Sequence, residues 1–251
     1  MIALRIFLSV VAAAFGSMAV YGLGGRHRDA DADGKKAQLM GGMGDFLLHW
    51  FMWLLRPVTE FSVRHGLTAD LYNWLGLALG LASGVFIALG QLENGGWALA
   101  LSGITDILDG RVSRATGKTS LYGDFIDSTL DRFIEVFIFL GFVVYFGDDA
   151  VGVLLSVAAL SGSLLVSYTR ARGESLGVDC TGGLMQRAER LVLVCLACLS
   201  DRALTKSAHR EPGTVVVWVL GLLAVTSFYT AVYRTIWISN RLREGERHRA
   251  S

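Results

Sequence analysis

Long apolar runs constrain this chain more than any other feature of its sequence. A helix that crosses the hydrocarbon core of a bilayer needs about 20 mainly apolar residues. The 251-residue chain contains several runs of this kind, and some carry charges at one end only, as expected where a helix reaches a watery face. The runs are Ile6–Leu23, Leu71–Gln91, Gly95–Arg114, Leu121–Phe146, Val151–Arg172, Arg187–Leu204 and Thr214–Ile238. The sequence therefore predicts an all-α integral membrane protein.

Composition supports this class of protein and excludes others. Charged residues make up 18% of the chain and hydrophobic residues 53%, whereas a soluble domain is about 25% charged. The 23 Lys and Arg residues balance 22 Asp and Glu residues, which argues against a nucleic-acid-binding protein with a basic face. Three cysteines and five scattered histidines provide neither a disulfide framework nor the spacing of zinc ligands.

The N-terminal region, residues 1–42, is predicted to hold a hydrophobic helix and a polar linker that precede a membrane domain, residues 43–251. Its apolar run Ile6–Leu23 is interpreted as a membrane anchor, with a secretory signal peptide as the alternative. The segment Phe46–Val63 combines aromatic residues with charges near its ends, which is typical of an interfacial amphipathic helix. A spanning helix broken at Pro57 is the alternative. The expected architecture is a six-helix transmembrane bundle, an interfacial helix and an additional N-terminal membrane helix.

Four aspartates stand in two of the apolar runs, although ionisable residues are rare inside membranes and usually functional there. Asp106 and Asp109 are three residues apart, and Asp127 and Asp131 are four apart, so each pair lies on one face of its helix. A short turn between the two helices makes them antiparallel neighbours and brings the carboxylates together. Burying four like charges is costly unless a cation binds them, and all-oxygen ligation favours Mg²⁺, Mn²⁺ or Ca²⁺ over zinc. Helix capping or pairing with nearby arginines is the alternative.

The same segment carries a resemblance to a known family. From Asp106 to Asp131 the chain reads D-x2-D-G-x2-S-R-x8-G-x3-D-x3-D. This spacing resembles the signature of the CDP-alcohol phosphotransferase family, in which alanine is usual where this chain has Ser113. The resemblance implies a membrane enzyme that transfers a phosphatidyl-type group from a CDP-linked lipid to an alcohol and releases CMP.

The resemblance also implies roles for individual residues. Asp106, Asp109 and Asp127 would hold a metal ion. Asp131 would complete a second metal position and act as the catalytic general base, so that the cofactor would be two ions of Mg²⁺ or Mn²⁺. Contacts to the nucleotide part of the donor would come from a further set: Asp70, Asn73, Gly110, Arg114, Ser120 and Gly123.

Basic residues at the ends of the later runs indicate which alcohol is the acceptor. Arginine clusters suit bidentate binding of a phosphate monoester, so a phosphorylated alcohol is expected. The arrangement resembles the branch of the family that makes phosphatidylinositol phosphate. That resemblance implies inositol phosphate as the acceptor, bound by Ser167, Arg170, Arg190 and Arg234, with Arg170 where lysine is usual. Glycerol 3-phosphate would also need a basic pocket and stays open.

The distribution of Lys and Arg between the loops predicts the orientation. The group expected in the cytoplasm is Arg111, Arg114, Lys118, Arg170, Arg172, Arg187, Arg190 and the tail from Arg241 to Arg249. The opposite face would carry Glu93, Asp148 and Asp149, with Arg202, Lys206 and Arg210 as an exception. We expect a multi-pass protein of the cell (inner) membrane whose active site faces the cytoplasm.

Two further questions stay open: whether the chain is a transporter, and which helix packs against a repeat of glycines. A divalent-cation transporter would line an ion path with the aspartates, but Arg114 within the motif would repel its cargo. Gly76, Gly80 and Gly84 repeat at every fourth residue and allow a second helix to approach closely. That helix could belong to the same bundle or to the partner in a homodimer.

Overall fold

The computed structural model describes residues 16–23 and 41–250, and every regular element within these ranges is an α-helix. The first, α1, covers residues 16–23. The others are α2 (Gly41–Arg64), α3 (Ala69–Ala88), α4 (Leu92–Thr116), α5 (Leu121–Phe146), α6 (Ala150–Ser175), α7 (Arg187–Ser207) and α8 (Thr214–Ala250). The predicted anchor Ile6–Leu23 is described only from residue 16, and the predicted polar linker lies outside the described residues.

The helices coincide with the predicted runs, and the last helix shows the largest difference. Helix α8 continues past the predicted end at Ile238 to Ala250. In this extension Arg241 lies 3.6 Å from Glu244 and 5.3 Å from the centre of the Trp237 ring. Contacts between residues three and four apart stabilise an exposed helix, so the helix continues where the apolar run has ended.

Three of the described helices are long and apolar enough to cross a membrane. They are Ala69–Ala88, Ala150–Ser175 and the part of α8 from Thr214 to Arg247. Helices α4, α5 and α7 were also predicted to span, but they carry the aspartates and arginines of the predicted site. These charges lower the hydropathy of the three helices.

The chain divides into two compact units, of which the first consists of Met1–Tyr72 and Ile107–Gly123. Within the described part of this unit, the Trp50 indole donates to Ser17 Oγ at 3.1 Å. The Tyr21 ring lies 5.7 Å from the ring of Trp53, so α1 packs against α2 through aromatic contacts. Helix α2 continues through Pro57 without a break, which removes the alternative of a broken helix.

The second unit consists of Asn73–Asp106 and Asp124–Ser251 and contains the main hydrophobic core. Helix α8 packs against α6 and α7. Phe139 and Phe142 of α5 and Leu220 of α8 are almost fully buried in this core. Close packing of such side chains stabilises the contacts between membrane helices, so the core holds in place the helices that carry the polar residues described below.

The glycine stripe of α3 serves packing inside this unit. A Cβ atom on Gly80 would lie 2.7 Å from Ile134 Cγ1, and one on Gly84 would overlap the backbone carbonyl of Phe137. Both contacts are with α5, and Gly76 makes a similar close approach to α4. Of the two uses foreseen for the stripe, packing within the chain is confirmed. A homodimer stays a prediction.

Candidate active site

Three of the four motif aspartates meet within the second unit. Asp106 of α4 and Asp127 and Asp131 of α5 each offer a carboxylate oxygen, and these atoms all lie within 4.8 Å of one another. The three side chains are half-buried. The four-residue spacing in α5 points both of its aspartates to the same side of the helix. We call these three residues the aspartate cluster.

The donor set of the aspartate cluster fits a divalent cation. Three anionic oxygens so close together repel one another unless a positive charge is held between them. Arg187 of α7 already supplies one: its Nη2 atom lies 2.6 Å from Asp131 Oδ1, and its Nη1 atom donates to Asp106 Oδ1 at 3.2 Å. Because carboxylate oxygens are the ligands that Mg²⁺ and Mn²⁺ prefer, the residues present can hold such an ion.

A buried ionic network extends from this cluster into the core of the second unit. Glu135, one turn after Asp131 on α5, is only 1% exposed. Its Oε1 atom accepts a hydrogen bond from Arg190 Nη2 at 3.3 Å and lies 3.6 Å from Arg187 Nε. The Ser163 hydroxyl donates to Oε2 at 2.9 Å. Glu135 therefore holds Arg187 and Arg190 of α7 beside the aspartate cluster.

The predicted acceptor residues gather on three helices of the same unit. Arg234 of α8 is 4% exposed, donating from Nη1 to the carbonyl of Val166 at 3.1 Å and from Nε to that of Gly182 at 2.9 Å. The charges of Arg170 and Arg190 both act on the Arg234 guanidinium. Ser167 follows Val166 directly on α6 and is half-buried.

Five of the six predicted nucleotide contacts lie in the first unit, and four of these five are close to one another in the chain. The guanidinium of Arg114 covers Gly110, whose Cβ position would be 3.0 Å from Arg114 Nη1. Ser120 precedes α5, and its hydroxyl accepts a hydrogen bond from the Gly123 amide at 3.0 Å. This is the geometry of a helix N-cap. Ser120 thus has a structural role that its position before an apolar run could have indicated.

The remaining predicted residues stand apart from these groups. Asp109 is 6% exposed and lies on α4 three residues after Asp106. Asp70 is exposed in the first turn of α3, in the first unit. Asn73 is 8% exposed and begins the second unit.

The sequence prediction missed Glu135 and did not include Arg187 among the acceptor-binding residues. Glu135 is a carboxylate inside the apolar run Leu121–Phe146, and an ionisable residue in such a run is a functional candidate. That signal was present in the sequence. Arg187 resembled an ordinary basic flank of a membrane helix, and its pairing with residues that precede it by more than 50 positions has no local signature.

Fold and site together define a class of protein: an all-helical membrane protein with a cluster of carboxylates that could hold a divalent cation. The model of the family described as CDP-alcohol phosphatidyltransferase matches residues 67–200, which include the whole aspartate motif. The chain belongs to the CDP-alcohol phosphatidyltransferase family. It is therefore an enzyme, a phospholipid-synthesising transferase, and the transporter alternative is not favoured.

Curated relatives extend the similarity over most of the chain. The archaetidylinositol phosphate synthase of Methanothermobacter thermautotrophicus is 32% identical over 205 residues, which cover 81% of this chain and 100% of that protein. The phosphatidylinositol phosphate synthase of Streptomyces avermitilis is 35% identical over 203 residues, 78% of this chain and 82% of the relative. The expected likeness to the branch that makes phosphatidylinositol phosphate is confirmed.

Solved structures show the same fold. The phosphatidylinositol phosphate synthase of Mycobacterium tuberculosis with CDP-DAG bound matches with a TM-score of 0.65 and 27% identity, over 72% of this chain and 92% of that chain. The same enzyme in complex with manganese and citrate matches with a TM-score of 0.64, over 72% of this chain and 87% of that chain.

Proposed function

We propose that this enzyme transfers the phosphatidyl group of a CDP-linked lipid to inositol phosphate, forming phosphatidylinositol phosphate and releasing CMP. The observation that carries the proposal is the pair of arginines beside the aspartate cluster. Arg187 Nε and Arg190 Nε are buried and, among the described residues, neither makes a hydrogen bond, although Arg187 Nε lies 3.6 Å from Glu135 Oε1. Buried donors without an acceptor are costly, and a phosphate monoester supplies several acceptor oxygens.

The aspartate cluster is the proposed metal site. Asp106, Asp127 and Asp131 are its ligands, and Asp109 joins them on the strength of its place in the motif. Two ions of Mg²⁺ or Mn²⁺ would neutralise charge on the donor's diphosphate and on the leaving group. The relative crystallised with manganese supports this choice of ion.

Asp131 is the proposed general base. Its Oδ1 atom lies 2.6 Å from Arg187 Nη2 of α7, beside the arginines proposed to bind the acceptor's phosphate. The acceptor hydroxyl gives its proton to the Asp131 carboxylate while its oxygen attacks the phosphorus atom that carries the lipid. The bond from this phosphorus to the bridging oxygen breaks, and CMP leaves with the electron pair. A base within hydrogen-bond reach of the hydroxyl is what this step requires.

The remaining site residues divide between the two substrates. Contacts to the CDP group are assigned to the six residues of the nucleotide set: Asp70, Asn73, Gly110, Arg114, Ser120 and Gly123. Contacts to the acceptor's phosphate are assigned to Ser167, Arg170, Arg190 and Arg234. The neighbouring guanidinium groups favour a phosphorylated alcohol over free inositol because each can bind two phosphate oxygens. Glycerol 3-phosphate satisfies the same requirement and is the competing acceptor.

The proposal includes the placement of the enzyme in the membrane. We infer six spanning helices, α3 to α8, because the charged residues of α4, α5 and α7 can face the bundle interior. Helix α2 would lie in the interface, and residues 1–42 would form the anchor and linker before a membrane domain of residues 43–251. The site would open to the cytoplasmic side of the inner membrane, in line with the excess of arginine there.

An acceptor comparison tests this function. Purified enzyme with CDP-diacylglycerol and Mn²⁺ should release CMP with inositol phosphate, but not with free inositol or serine. Arg170→Ala should raise the KM for inositol phosphate and leave the KM for the donor unchanged, whereas Arg172→Ala, also exposed on α6, should change neither. If glycerol 3-phosphate is the only acceptor that supports CMP release, the proposed reaction type stands, but its acceptor is glycerol 3-phosphate instead of inositol phosphate.

A further inference from the structure

A second polar site lies in the same unit, far from the aspartate cluster. A cavity of about 470 Å³ is lined by Glu93, Tyr145, Arg202, Lys206, Arg210 and Pro212, among others. Glu93 is 13 residues from Asp106 along α4, and Tyr145 is 14 residues from Asp131 along α5. At a rise of about 1.5 Å per residue, both helices separate the cavity from the cluster by about 20 Å. The cavity is therefore not part of the active site.

The cavity lies where candidate membrane spans end. Gly90 and Gln91, which line it, follow the span Ala69–Ala88, and Pro212 precedes the span that starts at Thr214. Residues directly beyond the apolar length of a spanning helix lie at the level of the lipid headgroups. A ligand in this cavity would therefore be in reach of the membrane surface.

The charges that line the cavity are mainly positive. Arg202, Lys206 and Arg210 follow one another at intervals of four residues, from α7 into the loop after it. Glu93 lies 3.8 Å from Arg202. Among the described residues, Lys206 and Arg210 form no ion pair. The buried carboxylate of Asp201 accepts hydrogen bonds from the backbone amides of Gly213 and Val215 at 2.8 and 3.0 Å, and these bonds stabilise its negative charge.

Basic residues are unexpected at this end of the helices. The other charged residues at this end are acidic, namely Glu93, Asp148, Asp149 and Glu211, and the arginines of the active site lie at the other end. On the cytoplasmic side of membranes, basic pockets between helices bind anionic lipid headgroups, and the same attraction between basic side chains and a lipid phosphate acts at this end of the helices. We propose that this cavity binds the phosphate group of an anionic phospholipid from the leaflet opposite the active site.

Lipid retention measured by native mass spectrometry tests the proposal. The full-length enzyme, purified in detergent, is mixed with phosphatidylglycerol or phosphatidylcholine. The wild-type protein should retain phosphatidylglycerol preferentially. The double variant Lys206→Gln/Arg210→Gln should bind it about thirtyfold more weakly, which is the roughly 2 kcal/mol that two basic residues contribute at an anionic membrane surface.

Matched variants and competitors make the test decisive. Arg243→Gln/Arg247→Gln removes two exposed arginines from the end of α8 and should leave retention unchanged. Glu93→Gln removes a negative charge from the cavity and should strengthen retention, a result that poor folding cannot imitate. Equal retention by the wild type and the Lys206/Arg210 variant would overturn the proposal. Displacement of the lipid by inorganic phosphate at equal concentration would assign the cavity to a soluble phosphate and overturn the lipid assignment.

Discussion

Replacing Glu135 by glutamine should destabilise the protein strongly, because the substitution leaves a buried arginine without its counter-charge. The side chains of Glu135 and Arg190 are 1% and 3% exposed, and their charged groups approach to 3.3 Å. Arg187 Nε lies 3.6 Å from the same carboxylate, so the loss of one negative charge leaves two positive groups facing each other. Removing one partner of a buried ion pair costs about 3–5 kcal/mol in the free energy of unfolding.

Thermal unfolding in detergent measures this effect. For a chain of this size, 3–5 kcal/mol corresponds to a fall in Tm of roughly 6–20 °C. The matched control is Glu60→Gln, which removes an i,i+4 partner of Arg56 at 2.9 Å on the exposed surface of α2. Such exposed helix pairs contribute about 0.3–0.5 kcal/mol, so Glu60→Gln should leave the Tm nearly unchanged.

A second variant tests whether the unpaired charge, and not the changed side-chain shape, causes the loss of stability. Glu135→Gln combined with Arg190→Met removes both charges, and a buried ion pair replaced by apolar groups is often neutral in stability. The double variant should therefore recover much of the lost Tm while losing the acceptor's binding group. If Glu135→Gln alone unfolds within about 1 kcal/mol of the wild type, the network does not stabilise the fold and the reasoning is refuted.

Three further predictions follow from the site and the helix packing. Asp131→Asn should abolish CMP release and preserve donor binding, since an amide cannot take the proton of the acceptor hydroxyl. Normal turnover by this variant would show that Asp131 is not the general base. Arg187→Ala should tighten Mn²⁺ binding, measured by electron paramagnetic resonance, by about tenfold or more. The positive charge of Arg187, about 4 Å from the ion, would oppose its binding by up to about 4 kcal/mol, and a tenfold change in affinity requires about 1.4 kcal/mol. An unchanged affinity would contradict a metal site that Arg187 occupies in the absence of the ion. Gly84→Ala should cost about 1–3 kcal/mol of unfolding free energy through overlap with α5. The control is Gly103→Ala, which should not destabilise, because no described residue outside its own stretch of helix comes within 4 Å of the Gly103 Cβ position. Equal Tm values of the two variants would show that α3 does not need its glycines.

Helix positions were predictable because each depends on a continuous local pattern. The run Leu121–Phe146 coincides with α5 residue for residue. The aspartate motif was predictable for the same reason: its residues occupy two consecutive helices joined by a short turn. Helix α8 was underestimated because hydropathy ends at Ile238, whereas helix propensity and side-chain pairs continue beyond it.

The ionic network could be predicted only in part. Glu135 interrupts an apolar run, so its importance was visible, but its partners Ser163 and Arg190 come from helices much later in the chain. Arg187 and Arg190 have the same residue type and similar positions at the start of α7, yet only Arg187 reaches Asp131. Which of the two arginines reaches Asp131 depends on how the helices pack, and no local pattern in the sequence encodes this packing.

The central claim, metal-dependent transfer from a CDP-linked lipid to inositol phosphate, is tested most directly by measuring both products of one reaction. Chelator-treated enzyme is supplied with CDP-diacylglycerol and inositol phosphate, and CMP and phosphatidylinositol phosphate are quantified together. The account predicts no product without a divalent ion, and equal amounts of the two products once Mg²⁺ or Mn²⁺ is restored. CMP release that persists in the chelator, or that occurs without the phospholipid product, would contradict it.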